Sequence, residues 1–189
     1  NHGGRESIEV FELDTRGAAP SATWVGCVLM PDRLAANSVA VFRDGTMLAT
    51  VPTLPGYSFE DAVAGRNTGA VFMWTPGSTA FRILPGTELP GNNGIDTSSD
   101  DREFYVASPR LKRIVVFSRA NPSAPLRFAQ LKEFSPDNVR VSGNRLITAG
   151  MIDDEPACGG APKTREGTRC PRGYIAASID PATMAVTEI

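Results

Sequence analysis

Histidine, cysteine, clustered basic residues and long apolar runs are all scarce in this sequence, and each shortage excludes a class of function. The only histidine is His2, and the three cysteines are Cys27, Cys158 and Cys170. Since no histidine lies near Cys158 and Cys170, these two thiols cannot complete a typical zinc site. The formal net charge is −2, from 19 basic and 21 acidic residues, and no Lys/Arg block indicates a nucleic-acid partner. No apolar run approaches membrane-spanning length, so we expect no transmembrane segment.

Short β-rich runs separated by Gly, Pro, Asn and Asp make up most of the chain instead. Three successive units hold four such runs each, and their first runs begin at Asn37, Asn93 and Asn138. The spacing of these asparagines is compatible with propeller-blade periods of roughly 40–50 residues once insertions are allowed. A helix competes only around residues 59–64. The sequence therefore predicts an all-β fold, a β-propeller of four-stranded blades.

Two further runs, at residues 7–13 and 23–29, precede the first unit and have the pattern of the last two strands of an earlier blade. We therefore expect about three and a half blades in a single propeller domain over residues 1–189. A ring of six blades needs roughly twice as many strands. The chain is thus expected to be a fragment of a six-bladed parent that lacks upstream blades and possibly the closing strands.

The three asparagines occupy the same phase of the repeat. If the blades surround an axis, Asn37, Asn93 and Asn138 lie near that axis on one face, which we call the top face. Carboxamide oxygens that converge on one point suit a hard cation such as calcium. For any one asparagine taken alone, a turn cap is the alternative, but the agreement of all three favours the metal.

The top face is also where the long connections are expected. The insertions at residues 52–68 and 150–172 join second to third strands and return to that face, as does the loop that contains His2. Loops enlarged on one face only are typical of a substrate pocket. Near a metal, His2 could act as a general base toward water, although a surface or packing role is the alternative for a lone histidine.

Cys158 and Cys170 bracket a loop without a strand pattern of its own, residues 159–169. A cross-link stabilises such a loop, so we predict a disulfide between them and a periplasmic or secreted protein. Free thiols in a cytosolic protein are the alternative.

We expect structural or surface roles for several other polar and aromatic residues. The acidic run 153–155 is expected to be solvated. We expect the basic residues Arg110, Lys112 and Arg113 to be ordinary surface residues. The alternative is that they orient an anionic substrate. The aromatic residues in the predicted strands are expected to lie in the core: Trp24, Phe72, Trp74, Phe104 and Phe117.

Four short segments resemble those of paraoxonases and occur in the same order. The segment 1–12, Asn-His-Gly-Gly followed by a strand, resembles the paraoxonase segment in which Asn-His-Pro precedes a Val-Glu-Leu/Ile-Phe strand. The segments 36–41, 89–95 and 136–139 resemble the family's Asn-Asp-Ile-Val-Ala-Val, Ala-Asn-Gly-Ile and Asp-Asn-Ile. The same order recurs more loosely in gluconolactonase-like and strictosidine-synthase-like propellers.

The resemblance implies a calcium-dependent hydrolase of small lactones or esters. Asn37, Asn93 and Asn138, with Asp137, match positions that hold the catalytic calcium in paraoxonases, where the ion polarises the carbonyl of the substrate. Another divalent cation is possible in its place. His2 matches a histidine proposed to help activate water. The glutamate ligand and the second histidine of that family belong to a region upstream of this sequence.

Two function classes remain open because one fold serves many activities. The first is the calcium-dependent lactonase or esterase. The second is a non-catalytic propeller that binds a ligand or a protein on its top face, and Ser38, which stands where paraoxonases have an aspartate, leaves room for it. A third option, a strictosidine-synthase-like condensation, would place a glutamate in the pocket, for which Glu60 is the loop candidate.

Overall fold

The structure is a computed structural model that describes residues 5–189 and contains one two-stranded and three four-stranded antiparallel sheets in that range. His2 lies outside the described residues. The strands are β1 (Ser7–Asp14), β2 (Ser21–Leu29), β3 (Ser38–Val41), β4 (Met47–Val51), β5 (Ala70–Trp74), β6 (Arg82–Ile83), β7 (Ile95–Thr97), β8 (Glu103–Ser108), β9 (Arg113–Ser118), β10 (Pro125–Gln130), β11 (Phe134–Ser142), β12 (Arg145–Ile152), β13 (Tyr174–Ile179) and β14 (Val186–Glu188). This arrangement confirms the all-β prediction and the three and a half blades.

Helical structure is confined to short connections. One helix, α1 (Phe59–Val63), lies in the long β4–β5 connection, at the place where the sequence left a helix open as a competitor to the β pattern. Residues 5–189 also contain four 3-10 turns: Pro31–Arg33, Pro109–Leu111, Pro156–Cys158 and Glu166–Arg169. Within residues 5–189 no helix has the length and apolar character needed to cross a membrane.

Each four-stranded sheet runs in simple sequence order, with β3, β7 and β11 as the first strands. These first strands lie next to one another. The backbone N–H of Gly94 donates to the carbonyl of Asp137 at 2.9 Å, and the carboxylate of Asp96 accepts from Val141 N at 2.8 Å. The innermost strands of successive blades are therefore joined by hydrogen bonds as well as by packing.

The apolar core is divided into three clusters, each shared by two neighbouring sheets. Alternate residues of one strand face different clusters, as β8 shows. Phe104 and Val106 pack toward the β3–β6 sheet, whereas Tyr105 and Ala107 pack toward the β11–β14 sheet. Because both faces are buried along β4, β8 and β9, these strands are largely apolar rather than alternating.

Two expectations about strands need correction. The run at residues 80–84 forms only the two-residue strand β6, since Phe81 is buried in the core beside the sheet instead of extending the ladder. Trp24 is 49 % exposed rather than buried. Its indole donates to Glu9 on the partner strand at 2.7 Å, and from the β1–β2 sheet it is Ile8 and Val28 that reach the core shared with β3–β6.

A disulfide joins Cys158 and Cys170 in the long β12–β13 connection, with their Cα atoms 5.8 Å apart. Beside the bridge, the guanidinium of Arg172 donates to the carbonyl of Asp153 at 2.6 Å and to that of Gly160 at 2.9 Å. The connection is long but fixed at its base by these contacts.

Gly94→Ala should destabilise the protein. A Cβ at this position would lie 2.5 Å from Asn138 Cα and 2.7 Å from Val139 N, which are backbone atoms that cannot rotate away. We expect a loss of about 1–3 kcal/mol in the free energy of unfolding, measured by urea denaturation. Gly26→Ala is the matched control, because nothing lies within 4 Å of its added Cβ. Equal stability of the two variants would show that β7 and β11 do not pack as closely as described.

Replacing Cys158 and Cys170 together by Ser should lower the free energy of unfolding. The bridge spans a sequence separation of 12, for which the chain-entropy model gives about 3 kcal/mol. Cys27→Ser, at the free cysteine, is the control and should change stability less. Peptide mapping without reduction reads out the bridge directly, and two free thiols in protein from its native compartment would contradict it.

Candidate functional site

A cavity of about 410 Å³ opens where the first strands of two sheets meet, at the ends of β7 and β11. Its lining includes Asn93, Asp137 and Asn138, three of the four residues predicted to hold a metal. Other polar lining residues are Arg110, Ser135 and Tyr174, and the remaining wall is formed by Pro109, Pro136, Ala149, Gly150 and Met151. The volume falls within the range of small-molecule pockets, roughly 300–1,000 Å³.

Asn93 is held firmly by its backbone while its side-chain oxygen is left without a partner. Its N–H donates to the carbonyl of Ala107 at 2.9 Å, and its carbonyl accepts from the hydroxyl of Thr50. The Oδ1 atom is buried and, among the described residues, nothing donates to it. A buried acceptor without a partner costs about 1–3 kcal/mol, and such atoms in native proteins call for an explanation such as a bound ion.

Its neighbour Asn92 provides a comparison within the same loop. Asn92 is fully buried, yet its Oδ1 accepts from Leu89 N at 3.1 Å and its amide donates to Thr87 O at 2.9 Å. Both ends of that side chain are used by the loop itself. In this loop, therefore, only the side-chain oxygen of Asn93 lacks a hydrogen-bond donor among the described residues. Asn93 is also the asparagine of this loop that lies at the repeated position.

Asp137 and Asn138 lie at a β-bulge. The register of β11 against β12 shifts between Pro136 and Asn138, and bulges commonly re-aim side chains at the rim of a site. Both residues are exposed and line the cavity. Thr148 fixes the backbone here, since its hydroxyl donates to Asn138 O at 2.6 Å. The two side chains thus project from a locally distorted but well-anchored strand.

Asn37 is exposed and does not line this cavity. Its backbone N–H donates to Thr50 O at 2.8 Å, and the hydroxyl of Thr50 donates to Asn93 O. Thr50 therefore connects the first strands of two successive sheets at the same end. Thr50 and Thr148 were not identified from the sequence, although a buried hydroxyl in an otherwise apolar strand is the signal that marks each of them.

The donor set is made of amide oxygens and one carboxylate. Within residues 5–189, no group of three or more His, Cys, Asp and Glu side chains is arranged to hold a metal ion. Soft or imidazole-preferring metals therefore have no ligand set in that part of the chain. Asn93, Asn138 and Asp137 instead offer the oxygen ligands that calcium takes, and the unpartnered Asn93 oxygen fits such an ion.

Arg110 enters the cavity from the turn Pro109–Leu111 and is half-buried. Its guanidinium carbon lies 4.8 Å from the centre of the Phe59 ring on α1. Burial lowers the pKa of Arg110, and the nearby charge of Asp153 opposes that shift. By contrast, Glu60 is exposed on α1 and does not line the cavity.

The prediction that residues 153–155 are solvated is wrong for Asp153, which is only 7 % exposed. Its Oδ2 accepts from Ser135 Oγ at 2.8 Å and lies 3.1 Å from Lys112 Nζ. Three consecutive acidic residues in a sequence do not indicate which of their carboxylates is buried against partners from other segments. Asp153 joins β11 to the β8–β9 connection.

No protein-family model matches this chain, and neither does any curated protein. Similar solved structures include hydrazine synthase of Kuenenia stuttgartiensis, with a TM-score of 0.59 and 16 % identity over 96 % of this chain and 43 % of that one. The structure of U3-55K has a TM-score of 0.54 and 10 % identity over 88 % of this chain and 42 % of that one.

The WD40 repeats of RRP9 are also similar, with a TM-score of 0.51 and 11 % identity over 80 % of this chain and 36 % of that one. The chain thus spans less than half the length of each of these structures. At such low identity the likeness concerns the fold alone. The fold of this chain is that of a β-propeller.

Proposed function

We propose that the protein is a calcium-dependent hydrolase of lactones or esters, of the paraoxonase and gluconolactonase type. The observation that carries this proposal is the buried, unpartnered Oδ1 of Asn93 beside a cavity that Asp137 and Asn138 also line. An oxygen in that state is stabilised by a cation, and its neighbours are the oxygen donors that calcium takes.

Asn93, Asn138 and Asp137 would hold the ion, with Asn37 completing the set from the preceding blade. When bound, calcium would act as a Lewis acid toward the substrate carbonyl. The protein residues around it have two tasks of their own. Pro109, Pro136 and Met151 form an apolar part of the wall. This part would exclude water from the reacting ester, and electrostatic interactions are stronger in such surroundings. The bulge in β11 fixes the direction of the ligands.

His2 is the residue proposed to remove a proton from the attacking water. This role rests on the resemblance of the segment 1–12 to paraoxonases. A positioned general base typically contributes about 10²–10⁴-fold to the rate.

The alternative is a propeller that binds a ligand on its top face without catalysis. One observation favours it: the described lining of the cavity contains no histidine and no glutamate. A protein of that kind would bind calcium and a small molecule and would turn over neither lactones nor esters.

The Cys158–Cys170 bridge supports a periplasmic or secreted location for the protein. Disulfides persist in oxidising compartments and are rare in the cytosol. Free calcium is also more abundant outside cells than inside them, which suits a site of few charged ligands.

Asn93→Ala and Asn138→Ala should each weaken calcium binding by the full-length protein. Loss of a direct ligand should exceed the roughly 10- to 100-fold effect typical of an outer-shell partner. Isothermal titration calorimetry measures the affinity, and Asn144→Ala, in the turn between β11 and β12, is the control. Unchanged calcium affinity in both variants would show that Asn93 and Asn138 do not hold the ion.

The full-length protein should hydrolyse a member of a lactone and aryl-ester panel only when calcium is present. Chelation should abolish turnover, whereas His2→Ala should lower kcat by about 10²-fold or more while leaving calcium affinity unchanged. Initial rates with and without a chelator provide the test. Calcium binding without turnover across the panel would favour the non-catalytic alternative.

A further inference from the structure

Arg110 carries the one charge on the cavity wall whose role the proposed hydrolysis does not explain. Among the described residues, its guanidinium has no ion pair or hydrogen bond, and its contact is with the Phe59 ring at 4.8 Å. The same cavity contains the carboxylate of Asp137, yet the two side chains form no salt bridge. The N–H donors of Arg110 are thus not used by the described part of the protein and are accessible to a ligand in the cavity.

Other basic side chains already contact Asp153. Asp153 is the buried carboxylate of this region, and its side chain is shared by Lys112 and Ser135. Its backbone carbonyl accepts from Arg172. Asp153 acts on Arg110 through its charge without contacting it closely. Asp153 therefore offers Arg110 no direct hydrogen bond or ion pair.

Arg110 is also held in position before any ligand arrives. It lies in the turn Pro109–Leu111, which is closed by a hydrogen bond from Lys112 N to Pro109 O at 3.1 Å. The ring it stacks on belongs to α1, whose first turn is fixed by a reciprocal capping pair between Ser58 and Asp61. A cation fixed by stacking loses less entropy when it binds an anion, since its rotamer is already chosen.

We propose that Arg110 forms an anion subsite in this cavity and that the substrate carries a carboxylate in addition to its lactone or ester group. This inference rests on the proposed hydrolase and names its substrate class. The planar fork of an arginine matches a carboxylate with two parallel hydrogen bonds. Asn93 and Asn138 would hold the cation at the carbonyl end, and Arg110 would fix the other end of the same small molecule.

Pyroglutamate and pyroglutamamide are suitable probes because they differ only in one charged or neutral terminal group. Both are lactams that resist hydrolysis and mimic a γ-lactone, so their affinities report binding rather than turnover. Calorimetric or NMR titration of the calcium-loaded full-length protein should show pyroglutamate binding on the order of 10- to 100-fold more tightly than its amide.

Arg110→Met should abolish this preference and leave the affinity for pyroglutamamide unchanged, whereas Arg110→Lys should keep part of it. Arg113→Met is the matched control. Arg113 lies three positions along the chain, but its guanidinium stacks on Phe128 at 3.9 Å and donates to Gln130, so the preference should persist. A merely structural role of Arg110 would alter the affinities of both probes together.

The outcomes separate this inference from the proposed function. A pyroglutamate preference that depends on Arg110 supports the subsite even if no lactone is turned over. Lactone hydrolysis without such a preference, or no detectable binding of pyroglutamate, overturns the subsite and leaves the hydrolase standing. Inorganic phosphate that displaces pyroglutamate far better than acetate does would also overturn it, because the subsite would then fit a phosphoryl group.

Discussion

The close approach of β7 to β11 is the constraint on which the rest of this structure depends. Gly94 has no side chain, so the backbones of the two innermost strands meet, and its N–H bonds to Asp137 O. That single contact places Asn93 directly beside Asp137 and Asn138. A larger residue at position 94 would separate the blades and with them the oxygen donors of the candidate metal site.

The middle strands and the loops of each blade have different roles. Middle strands such as β8 are apolar on both faces and join neighbouring cores, which makes the scaffold rigid. The candidate site lies at one end of these strands instead, where the β8–β9 connection contributes Arg110 and β11 contributes its bulge. A rigid sheet stack that presents polar side chains from its loops is the usual way in which propellers and related folds obtain function.

The sequence predicts the strands well because their signals are local. Turn residues bound each run, and the shared phase of Asn37, Asn93 and Asn138 follows from the repeat alone. The sequence does not predict the burial of Asp153, the exposure of Trp24 or the stacking of Arg110 on Phe59. Each of these depends on contacts between segments far apart in the chain, which no local pattern encodes.

We propose that amide oxygens at the meeting point of the inner strands hold a cation. A crystal structure of the full-length protein with calcium, or with a lanthanide for anomalous scattering, is the decisive measurement. We expect an ion about 2.3–2.6 Å from Asn93 Oδ1, with Asn138 and Asp137 in the same coordination sphere. Clear density for Asn93 with its Oδ1 bonded to a protein donor, and no ion beside it, would contradict a cation site here.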